Sequence, residues 1–354
     1  MGFNGQIAAS RRKSASRTVL AAIFVLGLIL NLSTGCARAS AGRRDQMLST
    51  IRIGDSRIDV MQEEGALSVT PNELLDWVRA AAESVSTYYQ RFPVPHVVLR
   101  IVPSDGQGVR GGRTNGRADG GMIRIHVGKN TTAAQLHADW MLTHEMVHLA
   151  FPSVADEHHW IEEGIATYVE PIARVRGKKL DAQKMWFEVV RDLHQGLPAP
   201  GDQGLDRTHT WGRTYWGGAL FCLLADVEIR KQTNNKKGLD DALGGILLAG
   251  GDIRHDWPLD KALEAGDHAT GVTVLKTLYD KMKSDPYPVD LPALWKELGT
   301  AVDGQTVRFS DTAPLAAVRE GITYGTPSAS PKAALDPQTH AVVVGRRAGR
   351  GSVG

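Results

Sequence analysis

The sequence predicts an α+β protein, with a small N-terminal α/β lobe built on a mixed sheet followed by a mostly helical lobe. Two observations carry that prediction. Between residues 51 and 128, short apolar segments with two-residue alternation surround one strong helix signal. From residue 131 onward, the apolar residues recur at helical spacing instead. A chain of 354 residues with 42% hydrophobic and 23% charged content has ample material for a buried core. The formal charge of +2 is close to balance, and Lys and Arg are scattered instead of forming stripes with interleaved aromatics. No electrostatic footprint for nucleic acid follows from such a distribution.

Residues 1–41 read as an export signal. Arg11, Arg12, Lys13 and Arg17 precede the apolar run VLAAIFVLGLIL, which is short for a bilayer span and suited to a signal-peptide core. Two processing routes are open. ARASA at 37–41 offers small residues for cleavage, while LSTGC at 32–36 resembles a bacterial lipobox, with Leu32 one place too far from Cys36. The expected location is therefore outside the cytoplasm, either secreted or in the cell envelope, with attachment through a lipid on Cys36 or through the N-terminal segment. Cys222 is the other cysteine, and its apolar neighbours in GGALFCLLADVEI mark it as a small buried hydrophobe.

The lobe at 45–150 opens with a strand at 51–60. In TPNELLDWVRAAAESVSTYYQRF, Thr70 caps a helix, Pro71 suits its first position and Glu73 completes a capping box. HVVLRIV at 96–102 reads as a buried strand and GMIRIHVG at 121–128 as an alternating one. The Gly-rich, basic stretch at 104–120 reads as the loop between them. A helix at 131–150 ends this lobe, and further helices at 157–170, 180–193, 214–231 and in shorter pieces to 298 fill the lobe at 151–325. The tail at 326–354 is rich in Pro, Gly, Ser and Arg, a composition that favours disorder.

Chemistry concentrates in AAQLHADWMLTHEMVHLAF. Residues four apart on a helix share a face, so His144 and His148 present two imidazoles to one ion, while Glu145, one step around, reaches a bound water. The surrounding sequence is apolar almost all round, so both rings would be buried, and buried polar groups need partners. A catalytic zinc takes three protein ligands and leaves a fourth position for water. A carboxylate in HHWIEEGIATYVEP can complete the set, with Glu163 and Glu162 about 100° apart on the same helix.

The pattern resembles the gluzincin zinc metallopeptidases, in which His-Glu-x-x-His is followed on a second helix by Trp-x-x-Glu-Gly-x-Ala-x-Tyr. Trp160, Glu163, Gly164, Ala166 and Tyr168 match that second motif. The resemblance implies a thermolysin-like zincin catalytic core and one zinc ion held by His144, His148 and Glu163. It also implies Glu145 as general base, and a Gly164 that lets the two motif helices approach closely. Glu162 is the rival ligand, otherwise a solvated or supporting group. Tyr215, three residues before Gly218 at a helix start, is similar to the Tyr-x-x-Gly of aminopeptidase N-like gluzincins, whose tyrosine stabilises the oxyanion; a Tyr packed at a helix entry is the alternative.

The expected reaction is hydrolysis of a peptide bond in a peptide or protein substrate. In the aminopeptidase branch a Gly-x-Met-Glu-Asn strand grips the free amino terminus. The strand expected to correspond is GGMIRIHVG, which has no Glu or Asn at that place, and this speaks against aminopeptidase action and leaves an endopeptidase or another kind of peptidase. Residues 122–127 are a candidate edge for pairing with an extended substrate. Thr167 and Glu170 are candidates to steady a ligand histidine. His158 and His159 read as a solvated pair beside Asp156 and Glu157, and His209 as a surface residue. A reading of another class stands beside the enzyme: an envelope-attached zinc- or peptide-binding protein with weak or no catalysis.

Overall fold

The computed structural model describes residues 45–325. The export signal, the lipobox cysteine Cys36 and the tail at 326–354 lie outside the described residues. Among the described residues, no helix is long and apolar enough to cross a membrane.

The N-terminal sheet has five strands in the order β1-β2-β3-β5-β4. Where the sequence suggested one strand at 51–60, a hairpin forms from β1 (Gln46–Ile53) and β2 (Ser56–Gln62). Gly54 makes the turn with φ +55°, a conformation that other residues adopt at a cost. The chain then crosses over through α1 (Pro71–Tyr89), which begins with the expected Thr70–Glu73 capping box. It returns as β3 (His96–Ser104), parallel to β2.

The stretch read as a loop at 104–120 contains β4 (Val109–Arg117), antiparallel to β5 (Gly120–Gly128). Three glycines hide this strand from sequence patterning, each weakening it by about 0.5–1 kcal/mol relative to alanine. Pairing along the whole length of β5 compensates. β5 lies between β3 and β4, so residues 122–127 are interior and the edge on that side of the sheet belongs to β4. Val97, Leu99, Ile101, Ile123, Ile125 and Val127 are wholly buried on one face of the sheet. Each such side chain contributes about 1.5–3 kcal/mol.

The expected helix at 131–150 is broken into α2 (Ala133–His137) and α3 (Met141–Val147), with a 3-10 turn at His148–Ala150. Asp139 causes the break. Its carboxylate accepts the backbone N–H of Met141 at 3.0 Å and of Leu142 at 3.1 Å, and the Trp77 indole N–H at 3.1 Å. A short side chain that satisfies the first amides of a helix starts a new one.

The helical part is organised around α4 (His159–Arg176), which packs on α1, on α3 and on α6 (Gly218–Gln232). Beyond it come α5 (Ala182–Asp192), α7 (Leu239–Leu248), α8 (Leu259–Thr270), α9 (Val274–Met282) and α10 (Leu291–Leu298). A small hairpin of β6 (Thr300–Asp303) and β7 (Thr306–Phe309), absent from the sequence expectation, precedes α11 (Ala316–Tyr324). One apolar core runs continuously from Ile51 in the sheet to Ile322 in α11. Cys222 is buried within it, and burial pushes its thiol up in pKa.

A buried polar network pins α6 to its neighbours. Arg230, wholly inaccessible, donates to Asp226 at 2.7 Å and to Asp240 at 3.2 Å. Asp226 also accepts the Tyr168 hydroxyl at 2.9 Å and the Leu239 amide at 3.0 Å. Removing one partner strands a buried charge. Asp226→Ala is expected to destabilise the fold by about 3–5 kcal/mol in denaturant unfolding.

Candidate metal centre

His144 sits on α3 and His148 one turn later, at the start of the 3-10 turn, so their rings remain on one face, 4.9 Å apart and nearly perpendicular. Glu163 projects toward them from the second turn of α4. Its Oε2 is 3.2 Å from His144 Nε2 and 3.7 Å from His148 Nε2. One donor atom from each of the three residues lies within 4.8 Å of the others. Donors about 2.0–2.2 Å from a tetrahedral ion are about 3.3 Å from one another. The two Glu163-to-histidine distances bracket that spacing, and two imidazoles with a carboxylate are donors that zinc takes. Burial opposes ionisation of Glu163, but the imidazoles of His148, His144 and His159 around it prevail and hold its carboxyl far below the usual range.

Glu162 points elsewhere. Its Oε1 accepts the Val154 N–H at 3.1 Å and its Oε2 lies 2.9 Å from His159 Nδ1. The histidine pair read as solvated is engaged on both members. His158 Nδ1 is 3.0 Å from Asp206, a carboxylate that also accepts Trp160 Nε1 at 2.8 Å and the Tyr279 hydroxyl at 2.8 Å. His159 bridges Glu162 and Glu163, and hydrogen bonds to these two carboxylates push its pKa up to about 10. Helical spacing places residues three and four apart within reach of one ring, a relation visible in HHWIEE but outweighed there by the polarity of the stretch. His209 is exposed, as expected.

Glu145 is buried beneath β4. The Thr114 hydroxyl lies 2.7 Å from its Oε2 and 2.8 Å from its backbone carbonyl, sharing one proton between them. A Cβ at Gly112 would stand 2.5 Å from Glu145 Oε1, so only glycine lets the strand lie this close. Thr114 and Gly112 were missed because their segment did not read as a strand. β4, and not β5, borders the site, and it carries Asn115 at the cavity wall and no acidic residue.

Tyr215 enters from a single π-helical turn, Arg213–Gly217, placed just before α6. Such turns recur at functional sites. Its ring stacks on His144 at 6.5 Å and on Trp211 at 5.7 Å. Burial, together with the nearby Glu163 and Glu145 carboxylates, raises its hydroxyl pKa and keeps it a donor. The position follows from a backbone contact: a Cβ on Gly164 would lie 2.4 Å from Gly218 Cα. The close approach expected of Gly164 is thus to α6, and not to α3.

His144, Glu145, His148, His159, Glu163 and Tyr215 share the walls of one cavity of about 550 Å3. Thr167 and Glu170 lie behind it, on a second cavity of about 190 Å3. Glu170 pairs with Arg174 at 3.0 Å, and burial raises its pKa to about 7. Neither residue hydrogen-bonds a histidine ring, and His144 Nδ1 has no partner among the described residues.

No family model matches the chain, and no curated protein matches it by sequence. Solved structures do match. An aminopeptidase N family protein from Idiomarina loihiensis aligns over 73% of this chain and 50% of its own length, with 13% identity and a TM-score of 0.55. The chain shares that protein's fold. An M1 zinc metallopeptidase from Deinococcus radiodurans aligns over 70% of this chain and 52% of its own, with 16% identity and a TM-score of 0.43. The chain spans about half the length of each of these structures.

Gly164→Ala forces α4 and α6 apart at the point that places Tyr215. A loss of about 1–3 kcal/mol in denaturant unfolding is expected, the range of other overpacked contacts.

Proposed function

We propose that this protein is an exported zinc-dependent peptidase with a gluzincin-type, thermolysin-like catalytic core. The observation that carries the reading is the convergence of the His144, His148 and Glu163 donor atoms on a cavity that Glu145 and Tyr215 also line. The shared fold with an aminopeptidase N family protein supports it. The N-terminal sequence supports export to the envelope or beyond, with lipid attachment at Cys36 as one route.

His144, His148 and Glu163 would hold one zinc ion, which when bound lowers the pKa of water and polarises a carbonyl. Glu145 takes the proton of the attacking water and passes it to the leaving amine. The Thr114 hydroxyl fixes one Glu145 oxygen, leaving the other for that transfer. Tyr215 donates a hydrogen bond to the oxyanion that develops on the substrate. The free edge of β4, lying over Glu145, receives an extended substrate by backbone pairing. With no carboxylate on that strand to take a free amino group, cleavage within a chain is the favoured reaction.

Metal analysis of the purified chain is expected to find about one zinc per molecule, lost in His148→Ala. In a quenched-peptide assay, Glu145→Gln is expected to lower turnover by about 10²–10⁴-fold with zinc retained. Bound zinc without cleavage in either protein would instead indicate a binding module. Tyr215→Phe is expected to reduce kcat by about 10²–10³-fold, the usual effect of losing one oxyanion donor.

A further inference from the structure

The two oxygens of Glu163 face different partners. Oε2 looks toward His144 and His148, while Oε1 lies 3.3 Å from His159 Nε2. The other nitrogen of that ring, Nδ1, is 2.9 Å from Glu162 Oε2, and the remaining Glu162 oxygen is fixed by the Val154 amide. Both nitrogens of the ring face carboxylate oxygens. A chain of contacts thus runs from the Val154 backbone through Glu162 and His159 to one oxygen of Glu163.

The arrangement bears on coordination. A carboxylate free to rotate can offer both oxygens to an ion, and the second would occupy the position that a catalytic site keeps for water. We infer that His159, clamped by Glu162, is a positioning residue that holds Glu163 Oε1 off the metal, so that this ligand binds through Oε2 alone and the fourth position stays open. This rests on the metal-centre reading above. A helix-surface ion pair between His159 and Glu162 would need no second contact to a buried carboxylate, yet Glu163, with only 12% of its side chain exposed, supplies one.

The test uses the purified chain and its His159→Phe and Glu162→Gln variants, with zinc affinity measured by chelator competition and geometry by the visible absorption of the Co2+-substituted protein. The expected result is about 10–100-fold weaker zinc binding in His159→Phe, the usual effect of losing an outer partner. Its Co2+ bands should weaken as a fifth donor enters, and Glu162→Gln should fall between the two. Unchanged affinity and spectrum in His159→Phe would overturn the inference while leaving the metal centre standing. A wild-type chain that binds no zinc would remove both. The His159 side chain is 53% exposed, so its loss spares the core. Should the phenylalanine variant fail to fold, His159→Ala is read in the same way.

Discussion

The backbones of α4 and α6 meet at Gly164 and Gly218, and the candidate site exists because no side chain stands between them. From that contact α4 carries Glu163 toward the histidines of α3, while the turn leading into α6 carries Tyr215 to the far wall of the same cavity. Every other group is arranged around this crossing. The buried Arg230 network fastens the rest of α6, and Tyr168, one turn beyond Gly164, joins α4 to that network through Asp226. Two glycines on separate helices therefore set a distance that no polar contact in the site could set alone.

The site gathers three histidines and three carboxylates into one cavity. Desolvating so many ionisable groups costs stability, and the fold offsets it in two ways. Within the cluster each carboxylate is partnered: Glu163 among three imidazoles, Glu162 against His159 and Glu145 by the Thr114 hydroxyl. Outside it, a continuous apolar core from sheet to last helix supplies the stability that a buried polar centre consumes. Glu145, Glu162 and Glu163 sit on helices packed from several sides and not on free loops.

The residues of the candidate site were legible because helical periodicity is local. His144 and His148 fall on one face, with Glu145 one step around, whatever surrounds them, and the Thr70–Glu73 cap is written in four consecutive residues. What escaped depended on contacts distant in sequence. β4 could not be seen in VRGGRTNGR, because its glycines are explained only by Glu145 lying beneath Gly112 and by β5 alongside. The interruption between α2 and α3 comes from Asp139 turning back on the next amides with help from Trp77, sixty-two positions earlier. His159 looked solvated by composition and became engaged only once Val154 had anchored Glu162.

The exposed margin of β4 has a second implication, for colloidal behaviour. A strand with unsatisfied amides beside a cleft is a template on which copies of the same chain can stack. The same nine residues that expose this margin carry Arg110, Arg113 and Arg117 and three glycines. Like charges repel an identical neighbour, and the glycines offer it little apolar surface to grip. The composition that concealed the strand thus also guards it against self-assembly.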